Sequence, residues 1–183
     1  MSFRGFIAIE IEATTKILDF EKEIKQTGAN VKLVEPENIH ITLKFLGDVK
    51  EEIVDQIEKI MINAEKETEP FSVKLIGTGV FPNQNYIKVI WIGIEDGHHI
   101  ETLAGKIDEE ISKLGFKREK RRFSPHLTIG RVKTAKNKER LLKIIEAYEG
   151  VEFGVFQVDT IKLKKSDLTP KGPIYTTIKE VQL

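Results

Sequence analysis

The 183-residue sequence predicts an α+β fold built mainly from antiparallel sheets, and three observations predict it. Short segments with alternating apolar residues, separated by turn formers, read as strands and hairpins. Longer segments carry apolar residues at helical spacing. The resulting order, β-α-β-β-α-β-β-α-β-α-β-β-β, mixes hairpins with helices, which favours antiparallel pairing. Each half also contains a strand with the same four-residue pattern followed by a helix, so a duplicated, two-lobed architecture is expected, although the halves share little else.

Taken in order, residues 3–10 (FRGFIAIE) read as a strand. Thr14 or Thr15 can cap a helix whose residues Ile17, Leu18, Phe20 and Ile24 cover one broad side, ending at Gly28. Residues 31–34 and 39–46 read as strands around the turn EPEN, and Gly47 and Asp48 end the second. From Glu51 to about Lys66, Ile53, Val54, Ile57, Ile60, Met61 and Ala64 form a helical stripe. Residues 71–80 and 86–94 form a hairpin joined by FPNQN. A helix over 98–114 stops at Gly115, and a strand at 126–132 and a helix at about 137–148 follow. Strands near 151–158, 160–165 and 174–182 close the chain. No linker or low-complexity stretch intervenes, so 1–183 reads as one two-lobed domain.

The composition fits a soluble globular protein, with 40% apolar and 32% charged residues. No apolar run approaches the ~20 residues that span a bilayer. The opening MSFRGFIAIEIE lacks the layout of a signal peptide. Cysteine is absent, which excludes disulfides and thiolate chemistry and suits a reducing cytoplasm. Abundant Lys, Glu and Ile are common in heat-adapted proteins. The formal net charge is zero, but where charge sits matters more than its sum. Acidic residues fall on segments that read as outer helix faces, whereas two basic clusters, Lys117–Arg122 and Lys162–Lys165, stand apart. Most charge runs are solvated surface. The first cluster lies just before a motif of chemical interest, which favours phosphate steering.

That motif is His-x-Thr-x, present as His40-Ile41-Thr42-Leu43 and His126-Leu127-Thr128-Ile129. On a strand, residues i and i+2 share a face, so each His stands beside its Thr while the aliphatic residues enter the core. On a helix the same spacing would separate them by about 200°. With four histidines in the chain, about 0.3 His-x-Thr pairs would arise by chance, and fewer with aliphatic flanks. Imidazole titrates near neutrality, so one His can be neutral and another protonated. Placed on opposite sides of a phosphorus, they supply a general base and a general acid. The threonine hydroxyls can hold the non-bridging oxygens. No His/Asp/Glu cluster has a metal-binding spacing, and no metal or cofactor is expected.

Around these motifs the sequence resembles the RNA 2′,3′-cyclic phosphodiesterases, also named 2′-5′ RNA ligases, of the two-histidine phosphoesterase superfamily. The resemblance runs through RGFIAIE at 4–10, PENIHITLKFLGDV at 36–49, GVFPN at 79–83, VIWIGI at 89–94, FSPHLTIGR at 123–131 and SDLTPKGPIY at 166–175. It implies a bilobal fold whose motif strands face across a central cleft, with helices outside. It implies hydrolysis of a 2′,3′-cyclic phosphate to a 2′-phosphomonoester, and a weaker, reversible 2′-5′ joining of RNA ends without ATP. It also implies His40 as general acid and His126 as general base, roles that pseudo-symmetry leaves undecided in the residues themselves. The implied partner is RNA with 2′,3′-cyclic phosphate ends, such as tRNA halves, or cyclic nucleotides. A cytoplasmic monomer with no membrane association is expected.

Arg131 is a candidate for phosphate binding, although strand parity sets it opposite His126 unless Gly130 marks a bulge. Phe45 is a candidate for base stacking, although parity favours core burial. Tyr86 and Tyr175 read chiefly as packing residues at strand ends. Trp91 reads as core or lobe interface, and Gly79, Pro82 and Pro173 as turn formers. His98 and His99 at a helix start are assigned no function. Two competing readings are a different reaction on ADP-ribose cyclic phosphate or a 2′-5′ linkage, and an RNA-end-binding accessory protein without turnover.

Overall fold

The computed structural model describes residues 1–95 and 97–183. Nine strands and four helices are formed among them, in the predicted order. They are β1 (Ser2–Glu10), α1 (Thr15–Gln26), β2 (Val31–Leu33), β3 (His40–Lys50), α2 (Val54–Lys66), β4 (Phe71–Asn83) and β5 (Tyr86–Glu95). Then come α3 (His98–Ser112), β6 (His126–Val132), α4 (Lys138–Ala147), β7 (Glu152–Val158), β8 (Thr160–Thr169) and β9 (Gly172–Gln182). Short 3₁₀ turns at Pro36–Asn38 and Glu51–Ile53 lead into β3 and α2. Among the described residues, no helix is long and apolar enough to cross a membrane.

The strands form two sheets of order β3-β1-β8-β9 and β2-β6-β5-β4-β7, with every pairing antiparallel. The α+β, two-lobed expectation is met, with a twist in its connectivity. The strand β4 of the first half joins the second motif's sheet, and β8 and β9 of the second half join the first motif's sheet. Helices cross over too. The amphipathic α2 and α3 pack on the sheet of β3, whereas α1 and α4 pack on the sheet of β6. Neither sequence half is therefore a lobe. Each lobe needs both halves, and the two motif strands β3 and β6 lie side by side at the centre.

Local chemistry explains the elements. The Thr14 hydroxyl accepts from the Ile17 amide at 3.3 Å, capping α1, and donates to the Phe153 carbonyl at 3.1 Å, tying α1 to β7. The stripe of α1 buries Ile17, Phe20 and Ile24, with Phe20 against Tyr148 and Phe153, while Leu18 is 41% exposed. Ile107, Ile111 and Leu103 of α3 are fully buried, each worth roughly 1.5–3 kcal/mol of transfer from water.

Several strands outrun their sequence-based ends. β3 continues through Gly47 and Asp48 because these still pair with Gly5 and Arg4, and Gly47 takes a positive φ of 70° where Leu46 is an extra residue against β1. β8 and β9 extend to a tight turn at Thr169–Gly172. Turn-forming residues mark these stretches in sequence, but pairing partners on the neighbouring strand hold them extended.

Candidate active site

A one-residue bulge follows the threonine in each motif. Along β3, Ile41 faces Ile9 and Thr42 faces Ala8, but the next pair is Lys44 with Ile7, so Leu43 is extra. Along β6, Leu127 faces Ile92 and Thr128 faces Trp91, but the next pair is Gly130 with Ile90, so Ile129 is extra. Leu43 and Ile129 are both buried, and each bulge reverses the alternation beyond it. Simple parity is thereby corrected at two positions. Phe45 pairs with Phe6 on the motif face and is 65% exposed, not buried in the core. Arg131 pairs with Val89 on the face of His126 and Thr128, not on the opposite one. The bulge foreseen at Gly130 falls on Ile129.

The first reversal turns Lys44 inward. Its ammonium donates to Asp108 Oδ1 of α3 at 2.5 Å and to the Lys117 carbonyl at 2.7 Å. Burial would raise the Asp108 carboxyl, but Lys44, the Glu119 amide and Arg118 outweigh it and hold the group below the usual carboxylate range. This hub pins the start of the basic loop before His126. Within that loop, Arg118 pairs with Asp108 and Arg122 with Glu101, leaving Lys117, Lys120 and Arg121 exposed with no ion pair among the described residues. The second basic cluster is not a continuous surface patch. Lys162 and Lys164 turn to Glu10, and Lys165 to Asp167.

The two histidines are held alike. His40 Nδ1 lies 2.7 Å from the Asn38 carbonyl, and His126 Nδ1 lies 2.7 Å from the Ser124 carbonyl. A carbonyl only accepts, so Nδ1 carries the proton in each ring and Nε2 is left with a lone pair when the ring is neutral. His40 Nε2 lies 3.0 Å from Thr42 Oγ1, where it accepts from the hydroxyl. Burial lowers the pKa of His40, and the charges of Lys164 and His126 act the same way, against the Asn38 hydrogen bond and Glu10. The strands that carry the two rings, β3 and β6, pack against each other.

Aromatic groups back both rings. His40 packs on Phe6 at 5.0 Å and meets Tyr175 edge-on at 5.5 Å. His126 meets Phe81 edge-on at 5.0 Å, and Phe81 lies 5.4 Å from Trp91. Trp91 is thus on the sheet face of His126 and Thr128, half-buried, with its indole lying over Gly79 so closely that an added Cβ would sit 2.2 Å from the ring. Gly79 is more than a turn former: it makes room for this ring. Burial raises the Tyr175 hydroxyl pKa, opposed by the charges of Arg131 and Arg4. Tyr175 thus packs directly against His40 and Phe6. Tyr86 is 62% exposed at the β4–β5 tip under Lys88, and His99 stacks on Phe71, both apart from the motifs.

Sequence reasoning did not single out Phe6, Phe81, Asn38, Ser124 or Glu10. Phe6 and Phe81 do lie within the segments RGFIAIE and GVFPN, so a signal was present. The carbonyls of Asn38 and Ser124 act through the backbone, and their side chains give no hint of it.

The sequence matches the family described as LigT like Phosphoesterase twice, over residues 7–91 and 92–175. It is similar to a protein of Methanocaldococcus jannaschii named RNA 2′,3′-cyclic phosphodiesterase, at 49% identity over 97% of this chain and 99% of that one. A protein of the same name from Methanothermobacter thermautotrophicus is 40% identical over the whole of both chains. Among solved structures, TT0787 of Thermus thermophilus superposes with a TM-score of 0.83 at 26% identity, covering 98% of this chain and 97% of that one. E. coli LigT, solved in complex with 3′-AMP, gives 0.74 at 21% identity over 100% of this chain and 99% of that one, a likeness of fold.

Proposed function

We propose, from the premise that this chain belongs to the LigT-like phosphoesterase family, that it is an RNA 2′,3′-cyclic phosphodiesterase working by metal-independent acid–base catalysis. The observation that carries this reading is the matched presentation of His40 and His126. Each ring is fixed through Nδ1 to a backbone carbonyl and stands on the same strand face as a threonine.

In this reading, the cyclic phosphate sits between the two rings. His126 Nε2 takes a proton from water as the water oxygen attacks phosphorus. His40 Nε2 gives a proton to the departing 3′ oxygen, and the product is a 2′-phosphomonoester with a free 3′-hydroxyl. The negative phosphate raises the pKa of His40, offsetting the effect of burial and making the protonated acid available. Thr42 and Thr128 donate to the non-bridging oxygens, Thr42 giving up its bond to His40 to do so. Arg131 adds a charged donor, and Phe45 offers an exposed face for the terminal base. Replacing water with an RNA 5′-hydroxyl makes the same chemistry a reversible 2′-5′ ligation that needs no ATP. The expected substrates are RNA ends such as tRNA halves, or cyclic nucleotides, met in the cytoplasm by a monomeric enzyme.

The test is incubation with an RNA bearing a 2′,3′-cyclic phosphate in the presence of EDTA, followed by mapping of the product phosphate. A 2′-phosphate supports the reading, and a 3′-phosphate overturns the assigned leaving oxygen. His40→Ala and His126→Ala should each lose about 10²–10⁴-fold in rate while keeping their circular dichroism. Full activity in either variant sinks the mechanism.

A further inference from the structure

The geometry points to Glu10, Lys162 and Lys164 as a positioning cluster that makes the two histidines unequal, a charged network behind His40 with no counterpart at the matching places behind His126. The functional meaning of this inference rests on the reading above, but the asymmetry is a property of the fold.

Strand register allows the surroundings of the two motifs to be compared residue by residue. Glu10 of β1 stands opposite His40, whereas Gly93 of β5 stands opposite His126. Ala8 lies opposite Thr42, and Trp91 opposite Thr128. One strand further, Lys162 lies beyond Ala8 and Lys164 beyond Phe6, while Gly79 lies beyond Trp91 and Phe81 beyond Val89. Matching places thus hold one carboxylate and two ammonium groups on the His40 side, and glycines and aromatic rings on the His126 side.

The charged side is a connected network. Lys164, only 8% exposed, donates to Glu10 Oε1 and to Thr177 Oγ1, the latter at 3.1 Å. Lys162 donates to Glu10 Oε2 at 2.7 Å and pairs with Glu180 at 3.4 Å. Burying an ammonium is costly, and the other sheet fills the equivalent place with Phe81, so packing alone does not call for a lysine at 164. What a lysine provides there is charge. The groups that face His40 are Glu10 from β1, Lys164 from β8, His126 from β6 and Tyr175 from β9, with the Asn38 carbonyl on Nδ1. Of these, Glu10 favours its protonated form, and Lys164 and His126 disfavour it. His126 has aromatic neighbours in their place.

Side-chain NMR titration of both histidines in folded protein tests this. Lys164→Met should raise the His40 midpoint and Glu10→Gln should lower it, each by about 0.5–1 pH unit, with His126 nearly unmoved. Lys164→Arg, which keeps the charge, should restore the wild-type midpoint. The limb of the pH–kcat/KM profile that follows His40 should move with it, and the other limb should stay. An unchanged His40 midpoint in folded Glu10→Gln, or equal shifts in both histidines, overturns the inference. Should Lys164→Met not fold, Glu10→Gln decides alone, because Gln keeps the size of Glu. The titration needs no turnover, so inactivity of the wild type would overturn the proposed function and leave the charge asymmetry to be judged by its own result.

Discussion

Phe45 and Arg131 occupy matching positions on the two motif strands, each returned to the face of its His and Thr by a single extra residue, Leu43 in one strand and Ile129 in the other. A repeated geometry thus carries unlike chemistry: an aromatic face beside His40 and a guanidinium beside His126. Phe45→Ala should lower kcat/KM on an RNA end by roughly 10-fold or more, the scale of one base-stacking contact, mainly through KM. Arg131→Ala should weaken binding of a phosphate-bearing ligand more than Arg131→Lys does, since Lys keeps charge but not the planar fork. Steady-state kinetics and inhibition by a nucleotide monophosphate check both. Wild-type constants in Phe45→Ala and Arg131→Ala would remove these residues from the site.

His40 should change its protonation when an anion arrives. With no anion beside it, burial holds its pKa below the ordinary value. A phosphate anion placed between the rings should raise it, so titration of inorganic phosphate at constant pH should bring proton uptake and move the His40 ring signals toward the imidazolium form. Absence of any His40 response at saturating phosphate would place the anion elsewhere.

The Lys44–Asp108 pair predicts a stability asymmetry. Side-chain exposures of 7% and 13% put both groups largely out of water. Asp108→Ala leaves the Lys44 ammonium with a single carbonyl acceptor and should cost about 3–5 kcal/mol, whereas Lys44→Met with Asp108→Leu should cost much less. Denaturant unfolding measures both. Equal losses would mean that the interaction itself, not the unpaired charge, dominates.

Glu21 predicts a pH dependence of stability. Burial pushes its carboxyl pKa up to about 7, with the Glu35 charge adding to the rise and Lys25 opposing it. The folded chain therefore binds a proton that the unfolded chain has already released. That contribution is fully present below the ordinary value of 4.5 and is lost as pH rises through 7. Glu21→Gln, which stays neutral, should be more stable than wild type at pH 8 by roughly 1–3 kcal/mol, with little difference at pH 4. Unfolding curves at the two values decide it, and an equal gain at both would point to packing instead.

What the sequence determined by itself was the element order, the antiparallel α+β class and the pairing of each His with its Thr. All three follow from local periodicity: a strand puts i and i+2 on one face whatever lies around it. Tertiary structure decided the rest. The bulges at Leu43 and Ile129 arise from register against β1 and β5, so Phe45 and Arg131 could not be placed by counting along one strand. The exchange of β4 and β8 between sheets depends on which edge each strand meets. The charged network behind His40 depends on it too, because Lys164 is 124 positions from His40 in the chain and reaches Glu10 only after β8 pairs with β1. Burial and charge act through space, and in this fold the distances that matter are set by strands brought together from opposite ends of the chain.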